Sequence, residues 1–275
     1  MKNLGKVLGY LIMIFFGVVI LFPFLLLFLS SLKNAKELFR TGMNFSISLS
    51  TLTFENYREL FFGSSEYMRW YLNSLFILGV QVPLSIIFSS FVAYGFAMYE
   101  FKYKKIIFIF VLISMMVPFE IIMLPLYSTI GIMGLFDTYT GVILPFIVSS
   151  FAIFFFMQYL KGIPKSLVEA GRIDGCSEYR IFYSVIFPIM KPALITMVIF
   201  IAMGVWNGFL WPLLALTTSS KFTLPIGLST LFTPYGNNYQ ILIAGAVFAV
   251  LPVVILFFRF QKYFINGMIS GSVKE

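Results

Sequence analysis

Residues 163–192, with the sequence IPKSLVEAGRIDGCSEYRIFYSVIFPIMKP, form the longest polar interruption between apolar segments in the second half of the chain. The stretch combines charged residues with glycine and helix-capping residues. It also carries aromatic and branched side chains, and large exposed apolar patches usually mark interaction sites. We therefore expect residues 163–192 to be a connecting segment that binds a partner.

The composition is that of an integral membrane protein. The 275 residues are 60% hydrophobic and 11% charged, whereas soluble proteins have roughly 45–50% apolar and about 25% charged residues. A bilayer core of about 30 Å requires about 20 apolar residues per helical span. We predict an all-α membrane protein with a single transmembrane domain over residues 1–275. Its six predicted spans are residues 7–31, 71–98, 106–130, 138–160, 192–217 and 239–260.

The first run and the prolines bear on how continuous these spans are. Lys2 and Lys6 precede the first run, and no small-residue cleavage site follows it, so we expect it to be retained as a helix. Neighbouring groups in a membrane protein can satisfy the carbonyls that a proline frees. We therefore expect kinked rather than interrupted helices at the prolines inside the runs. These are Pro23, Pro83, Pro118, Pro125, Pro145, Pro212 and Pro252.

The lysines and arginines indicate the orientation of the chain. With a cytoplasmic N-terminus, 13 of the 19 lie inside and 6 lie outside, and cytoplasmic loops carry an excess of these residues. We predict that both termini and residues 161–191 are cytoplasmic. The net charge of +8 then reflects this asymmetry, and no nucleic-acid partner is predicted. The outer set is Lys33, Lys36, Arg40, Arg58, Arg69 and Lys221.

Local signals predict two short helices within residues 163–192. Ser166 and Glu169 match the S-x-x-E capping box of a helix start. Gly175 can take the left-handed conformation that closes a helix, and Ser177 can cap the next one, which is expected to run to Pro188. We therefore predict two helices that meet at Gly175.

Catalytic motifs are missing from the sequence. It contains no histidine and a single cysteine, Cys176, which excludes histidine-based catalysis, histidine metal sites and an internal disulfide. It also lacks the G-x-x-x-x-G-K-[ST] phosphate loop of ATPases. We predict a non-enzymatic subunit with no catalytic residue, metal site or bound cofactor, so any hydrolysis of ATP would take place on another chain.

Residues 169–188 resemble a motif of a known transporter family. The EAA motif of permease subunits in ATP-binding-cassette (ABC) importers reads EAA, three residues, G, nine residues, then I-x-L-P. Here residues 169–171 read EAG, Gly175 follows after three residues, and residues 185–188 read VIFP. The departures from the motif are Gly171, Val185 and Phe187.

Other stretches resemble the maltose-type branch of that family. Residues 206–212, WNGFLWP, are similar to a W-N-x-F-x-x-P stretch in its fifth span, and residues 267–274 are similar to its G-x-x-x-G-x-V-K ending. The chain thus resembles the smaller, six-span permease of a carbohydrate ABC importer, with the type I importer permease fold. This implies a subunit that forms half of a translocation pathway for sugars, in particular oligosaccharides.

The resemblance also implies partners in the cell (cytoplasmic) membrane. They are a second permease subunit that completes a heterodimer, a dimeric ATPase that binds ATP and Mg, an external solute-binding protein, the sugar and membrane lipid. Residues 161–191 would be the coupling loop to the ATPase. The coupling residues implied are Glu169, Ala170, Gly171, Asp174, Gly175 and Pro188. The implied contacts to the solute-binding protein are Thr223, Pro225 and Gly227.

Three residues in the spans are candidates for the solute pathway. At 1.5 Å per residue, Trp206 lies about 21 Å along the fifth span, and Glu120 lies at a similar depth in the third. An intramembrane carboxylate usually faces the bundle interior or a water-filled cavity. Trp206, Asn207 and Glu120 would supply the aromatic face, amide and carboxylate that commonly bind sugars. A structural role for Glu120 and an interfacial position for Trp206 are alternatives, and Trp70 and Trp211 are expected to be outer aromatic-belt anchors.

Two other functions remain compatible with the sequence. The first is an ABC importer permease for a non-sugar solute, because the sequence of the coupling loop does not indicate which solute is transported. The second is a self-contained secondary transporter, which needs intramembrane ion or proton groups and usually an internal repeat. Glu120 is the only acidic residue predicted well inside a span, so the sugar importer is favoured.

Overall fold

The computed structural model describes residues 2–45, 52–63, 66–232 and 239–270. The predicted tail motif at residues 267–274 therefore extends beyond the described residues. The helices are α1 (Lys2–Ser31), α2 (Ala35–Thr41), α3 (Glu55–Phe62), α4 (Tyr67–Met98), α5 (Lys104–Met116), α6 (Phe119–Ile132), α7 (Tyr139–Ile143), α8 (Ser150–Leu160), α9 (Ser166–Ile173), α10 (Glu178–Ile189), α11 (Lys191–Trp206), α12 (Leu210–Ala215), α13 (Leu224–Leu231) and α14 (Tyr239–Ser270). Short 3₁₀ turns lie at Leu144–Phe146 and Ser219–Lys221, and α10 contains a π turn at Phe182–Ile186.

The described helices confirm an all-α membrane protein. Four helical segments are long and apolar enough to cross a membrane alone, and two bent helix pairs bring the number to six when each pair counts as one span. The bent pairs are α5 with α6 and α10 with α11. The four single segments are Gly5–Ser31, Tyr67–Met98, Tyr139–Leu160 and Tyr239–Lys262.

The prolines inside the spans behave in two ways. Pro23, Pro83 and Pro252 lie inside continuous helices, as predicted. Pro118 instead separates α5 from α6, and the two helices differ in direction by 103°, so the prediction of a continuous, kinked helix is wrong there. Val117 is extended, with φ −79° and ψ 118°, because the ring of a following proline disfavours the helical conformation.

The chain divides into two compact units. The first comprises Met1–Tyr71 and Leu224–Pro252, and the second comprises Leu72–Thr223 and Val253–Glu275. In the first unit, the hydroxyl of the buried Tyr67 donates a hydrogen bond to the Gly245 carbonyl at 2.8 Å. Trp70 packs so closely on Gly227 that a Cβ there would overlap the indole ring. Trp70 is therefore buried rather than exposed as a belt anchor, and the prediction for it is wrong.

The core of the second unit joins the end of α4 to α8, α10 and α11. Its largest buried side chains come from three of these helices, and aromatic rings of α4 and α10 contact one another at Tyr94 and Phe182. This core includes Ile181, Phe182 and Ile186, so it packs beneath residues 163–192. Its fully buried members include Phe156, Phe182, Ile186 and Met190.

Candidate functional site

Residues 163–192, here called the elbow, contain two helices that meet at a left-handed corner. Gly175 has φ +73°, which confirms the predicted corner. Its amide donates to the Arg172 carbonyl at 3.0 Å, and the Cys176 amide donates to the Gly171 carbonyl at 2.9 Å. This pattern satisfies carbonyls that the end of α9 would otherwise leave unpaired. The corner is thus a hydrogen-bonded unit that depends on a positive φ.

The two predicted helix caps have different outcomes. Ser177 caps α10 as predicted, because its hydroxyl accepts a hydrogen bond from the Arg180 amide at 3.4 Å. Ser166 is already the first residue of α9, and no side chain caps that helix. The capping box with Glu169 is therefore wrong. Lys165 has helical angles, so the turn begins before Ser166 can take the extended conformation that a capping residue needs.

Gly171 allows the two helices of the elbow to lie in direct contact. A Cβ at Gly171 would lie 2.9 Å from Cγ1 and 3.2 Å from Cδ1 of Ile181. Ile181 is fully buried, so it has little space into which to move. The glycine that departs from the EAA motif is therefore the residue across which α9 packs on α10.

A carboxylate that the sequence analysis did not single out anchors the elbow to the end of α4. Glu178 accepts a hydrogen bond from Arg172 Nε at 2.6 Å, another from the Tyr94 hydroxyl at 3.4 Å and a third from the Tyr99 hydroxyl. The Arg172 guanidinium also lies 5.5 Å from the Tyr99 ring centroid. The only local signal for this cluster is the pair of opposite charges on either side of the corner.

The outer face of the elbow is largely exposed in the isolated chain. Ile173 is 86% exposed, Tyr179 is 67% exposed and Tyr183 is 50% exposed. Such side chains favour a surface that a partner covers. Of the predicted coupling residues, Gly171 is buried and the following are exposed: Glu169, Ala170, Asp174, Gly175 and Pro188.

A cavity of about 800 Å³ lies among α4, α5, α6, α8, α11 and α12. Its wall is mostly apolar, and no charged side chain of the described residues lines it. Ligand cavities typically combine apolar walls with a few placed polar groups, and this cavity fits that description. Its polar side chains are Ser74, Gln81, Ser85, Ser114, Ser149, Ser150, Asn207 and Thr223.

Two hydroxyl groups of this wall lack an internal partner. The Ser85 and Thr223 hydroxyls are buried and have no hydrogen bond within the described part of the chain. In contrast, the Ser114 hydroxyl donates to Ser150 Oγ at 2.7 Å, and Ser89 Oγ accepts from the Ser149 amide at 3.0 Å. A buried hydroxyl without a partner is costly, so Ser85 and Thr223 are groups that a polar solute or water can satisfy.

The structure separates the three predicted pathway residues. Asn207 lines the cavity, and its side-chain amide donates to the Met203 carbonyl at 2.8 Å. Glu120 lies in the first turn of α6 and is exposed, whereas Phe119 beside it lines the cavity. Trp206 is buried and does not line the cavity. Only Asn207 of the three therefore belongs to this cavity.

Trp211 has the position in the cavity wall that the sequence analysis expected of Trp206. It is buried, its indole nitrogen donates to the Gly141 carbonyl at 3.2 Å, and its ring contacts Phe119 and Phe146 edge to face. The prediction that Trp211 is an outer belt anchor is therefore wrong. The indole hydrogen bond is satisfied by backbone inside the protein, so the ring has no need of the membrane interface.

A carboxylate holds the turn before α7 to the turn after α12. Asp137 accepts hydrogen bonds from Lys221 Nζ at 2.7 Å, from the Thr218 hydroxyl at 2.6 Å and from the amides of Thr217 and Thr218 at 3.0 Å each. Chiefly because of Lys221 and then Thr218, the pKa of Asp137 is held well below its usual range. Asp137 also has φ +55°. We refer to these residues as the Asp137 cluster.

The three residues predicted to contact a solute-binding protein differ in exposure. Thr223 is buried and lines the cavity, and Gly227 is buried against Trp70. Pro225 at the start of α13 is half-buried. Pro225 therefore has the most surface available to a partner in the isolated chain.

A helical membrane protein with a large cavity among its spans that no charged side chain of the described residues lines, and with a largely exposed elbow, has the architecture of a transporter subunit. Residues 83–270 match the family described as binding-protein-dependent transport system inner membrane component. The chain belongs to this family. It is therefore a multi-pass membrane transport subunit, and it works with a separate binding protein and an ATPase.

Individual relatives agree with this assignment. The chain is 52% identical to the arabinooligosaccharides transport system permease protein AraQ of Bacillus subtilis (strain 168), over 92% of this chain and 90% of that protein. It is 48% identical to the protein of the same name from Halalkalibacterium halodurans, over 99% of both chains. A chain of a bacterial ABC transporter involved in the import of the acidic polysaccharide alginate has the same fold, with a TM-score of 0.82 at 22% identity over 96% of this chain and 97% of that chain.

Proposed function

We propose that this chain is one of two permease subunits of an ATP-driven importer for neutral oligosaccharides, with arabinose-containing oligosaccharides as the first candidates. The observation that carries the proposal is the 52% identity to AraQ over 92% of the chain. A permease for a non-sugar solute is the alternative that remains.

The cavity supports a neutral, hydroxyl-rich solute. Its wall has serine, threonine and amide side chains and no charged side chain among the described residues. A charged solute would need an opposite charge to offset the cost of leaving water. Sugar hydroxyls can instead pair with uncharged groups such as Ser85, Thr223 and Asn207. Glu120 and Trp206, which lie outside this cavity, would contribute to the pathway only where the second permease completes it.

The elbow supports coupling to a separate ATPase. We propose that residues 161–191 and both termini lie in the cytoplasm. ATP and Mg would be bound by a separate ATPase dimer and not by this chain. The cleft of that dimer would receive the exposed face of the elbow around Glu169, Ala170 and Asp174. The corner at Gly175, and Pro188 in the last turn of α10, would keep the two helices rigid. Gly171 would act indirectly, by holding α9 against α10.

The remaining partners would lie at the membrane and outside it. A second permease subunit would pair with this chain as a heterodimer. The solute-binding protein would dock near Thr223, Pro225 and Gly227, with Pro225 as the most accessible of the three.

The decisive experiment is purification of the intact complex and measurement of its ATP hydrolysis with the binding protein and a panel of solutes. We expect stimulation by arabino-oligosaccharides and weaker or no stimulation by oligosaccharides of uronic acids. Stimulation by the charged sugars alone would contradict the cavity argument. Uptake by this chain without the ATPase would contradict the importer and favour a secondary transporter. Glu169→Lys should abolish stimulation while the complex still inserts in the membrane.

A further inference from the structure

A second pocket lies where three spans end. It has a volume of about 340 Å³ and is bounded by the end of α4, the start of α5, the end of α8 and the first residues of the elbow. Its floor is apolar, with Phe96, Met98, Phe108, Met157, Leu160 and Ile163. Its rim carries Glu100, Lys104, Lys105, Lys161 and Lys165. We call it the lysine pocket.

The charges on the rim do not cancel. Glu100 is the one carboxylate of the rim, and it already pairs with Lys104 at 3.1 Å and with Lys165 at 3.7 Å. Lys104 Nζ also donates to the Tyr99 carbonyl at 2.8 Å. Lys105 and Lys161 are exposed and have no ion pair within the described residues. Two ammonium groups thus remain available for an anion above an apolar floor.

The position of the lysine pocket identifies the kind of anion. The helices that border it are apolar segments that end at Met98 and Leu160 or begin at Lys104. With residues 161–191 in the cytoplasm, as proposed above, these helix ends would place the pocket where the hydrocarbon core meets the cytoplasmic headgroups. Basic pockets between spans on the cytoplasmic side bind the headgroups of acidic lipids. A lipid also matches both parts of the pocket, since its phosphate can contact the lysines while its glycerol and acyl carbons cover the apolar floor.

We propose that the lysine pocket binds the phosphate headgroup of an anionic phospholipid such as phosphatidylglycerol. Lys105 and Lys161 bind the phosphate, and Lys104 and Lys165 contribute to the positive field around it. Because Lys165 immediately precedes α9, the bound lipid also restrains the point at which the chain enters the elbow.

The test is a lipid titration of the intact complex in neutral detergent, followed by native mass spectrometry. Phosphatidylglycerol is the ligand, and phosphatidylcholine is the neutral comparison. Soluble glycerol phosphate is added as a competitor. The variant is Lys105→Gln with Lys161→Gln. The matched control is Lys102→Gln with Lys191→Gln, which removes the same charge from two exposed lysines that do not line the pocket.

We expect the pocket variant to bind phosphatidylglycerol at least tenfold more weakly, because it removes both ammonium groups that bind the phosphate, and hydrogen bonds between charged groups are roughly twice as strong as those between neutral groups. The control should change by less than twofold. Equal losses in both variants, or no loss in either, would overturn the proposal. Competition by glycerol phosphate at the concentration of the lipid would reassign the pocket to a soluble phosphate. Unchanged lipid binding with loss of the ATPase from the purified complex would reassign it to a protein contact.

Discussion

Replacing Gly175 should weaken the elbow in proportion to how poorly each new residue tolerates a positive φ. The corner has φ +73° and no atom within 4 Å of a built Cβ, so the backbone conformation alone limits the choice of residue. Asparagine visits the left-handed region readily, alanine does so at a cost, and proline is fixed near φ −65°. We therefore expect uptake in the order Gly, Asn, Ala, Pro.

The magnitude follows from the same angle. An alanine in the left-handed region costs roughly 1–2 kcal/mol, which lowers the ratio of the native corner to other conformations by roughly 5–30-fold. Proline cannot adopt the angle and also removes the amide that donates to the Arg172 carbonyl at 3.0 Å. This hydrogen bond adds about 1 kcal/mol. Gly175→Pro should therefore reduce uptake to background.

The assay is oligosaccharide uptake by the reconstituted complex, with ATP hydrolysis measured in the same vesicles. A defective elbow should lower uptake and the stimulation of ATP hydrolysis together, while the amount of inserted subunit stays the same. Gly162→Ala is the matched control, because Gly162 lacks a positive φ and a Cβ there has its nearest contact at 3.4 Å.

Two results would refute this reasoning. The first is wild-type uptake by both Gly175→Ala and Gly175→Pro at equal insertion, which would mean that the corner has no part in coupling. The second is an equal loss in Gly162→Ala, which would mean that any change near the elbow is damaging.

Gly171→Ala should destabilise the elbow by about 1 kcal/mol through overpacking. The same change should cost less in a chain that already carries Ile181→Ala, because the side chain that it would overlap is then shorter. Equal costs of Gly171→Ala in both backgrounds, measured by thermal unfolding, would contradict the contact. Gly204→Trp should block uptake, because Gly204 lines the cavity and a Cβ there meets open space. Gly79→Trp should be tolerated, because a Cβ at Gly79 also meets open space but Gly79 lies outside the cavity. Equal uptake by the two variants would exclude the cavity as the pathway. Asp137→Asn should lower stability by about 1 kcal/mol at neutral pH, as measured by thermal unfolding. Folding lowers the pKa of Asp137, so its stabilisation is present above the ordinary carboxyl pKa and is lost as the pH falls. The difference in stability between Asp137→Asn and the wild type should therefore narrow below about pH 4. A difference that stays constant with pH would contradict the charged cluster.

Local chemistry was enough to predict the class of the protein and the shape of the elbow. The apolar runs are long enough to span a bilayer, and only a helix satisfies every backbone group there without a partner strand. Gly175 acts through its own backbone conformation and Ser177 through a neighbouring amide, so both roles could be predicted from a few adjacent residues. The prediction that Ser166 caps α9 is wrong because Pro164 and Lys165 start the turn earlier. The capping pattern does not take these preceding residues into account.

The cavity and the anchors of the elbow depended on contacts between distant residues. Glu178 accepts hydrogen bonds from Tyr94 and Tyr99, which are 84 and 79 residues away, and the indole nitrogen of Trp211 donates to a carbonyl 70 residues away. A pattern of neighbouring residues cannot report such contacts, because they arise when helices pack.

Hydropathy and backbone conformation are properties of short stretches, so they were enough to predict a helical membrane subunit whose elbow turns at Gly175. Three features became visible only in the packed helices. The third span breaks by 103° at Pro118, Trp211 rather than Trp206 lines the cavity, and lysines from separate spans share one pocket. The physical reason is that packing decides which side of a helix is covered. An apolar side chain in a membrane protein can face lipid or protein at similar cost, so hydrophobicity alone leaves that choice open.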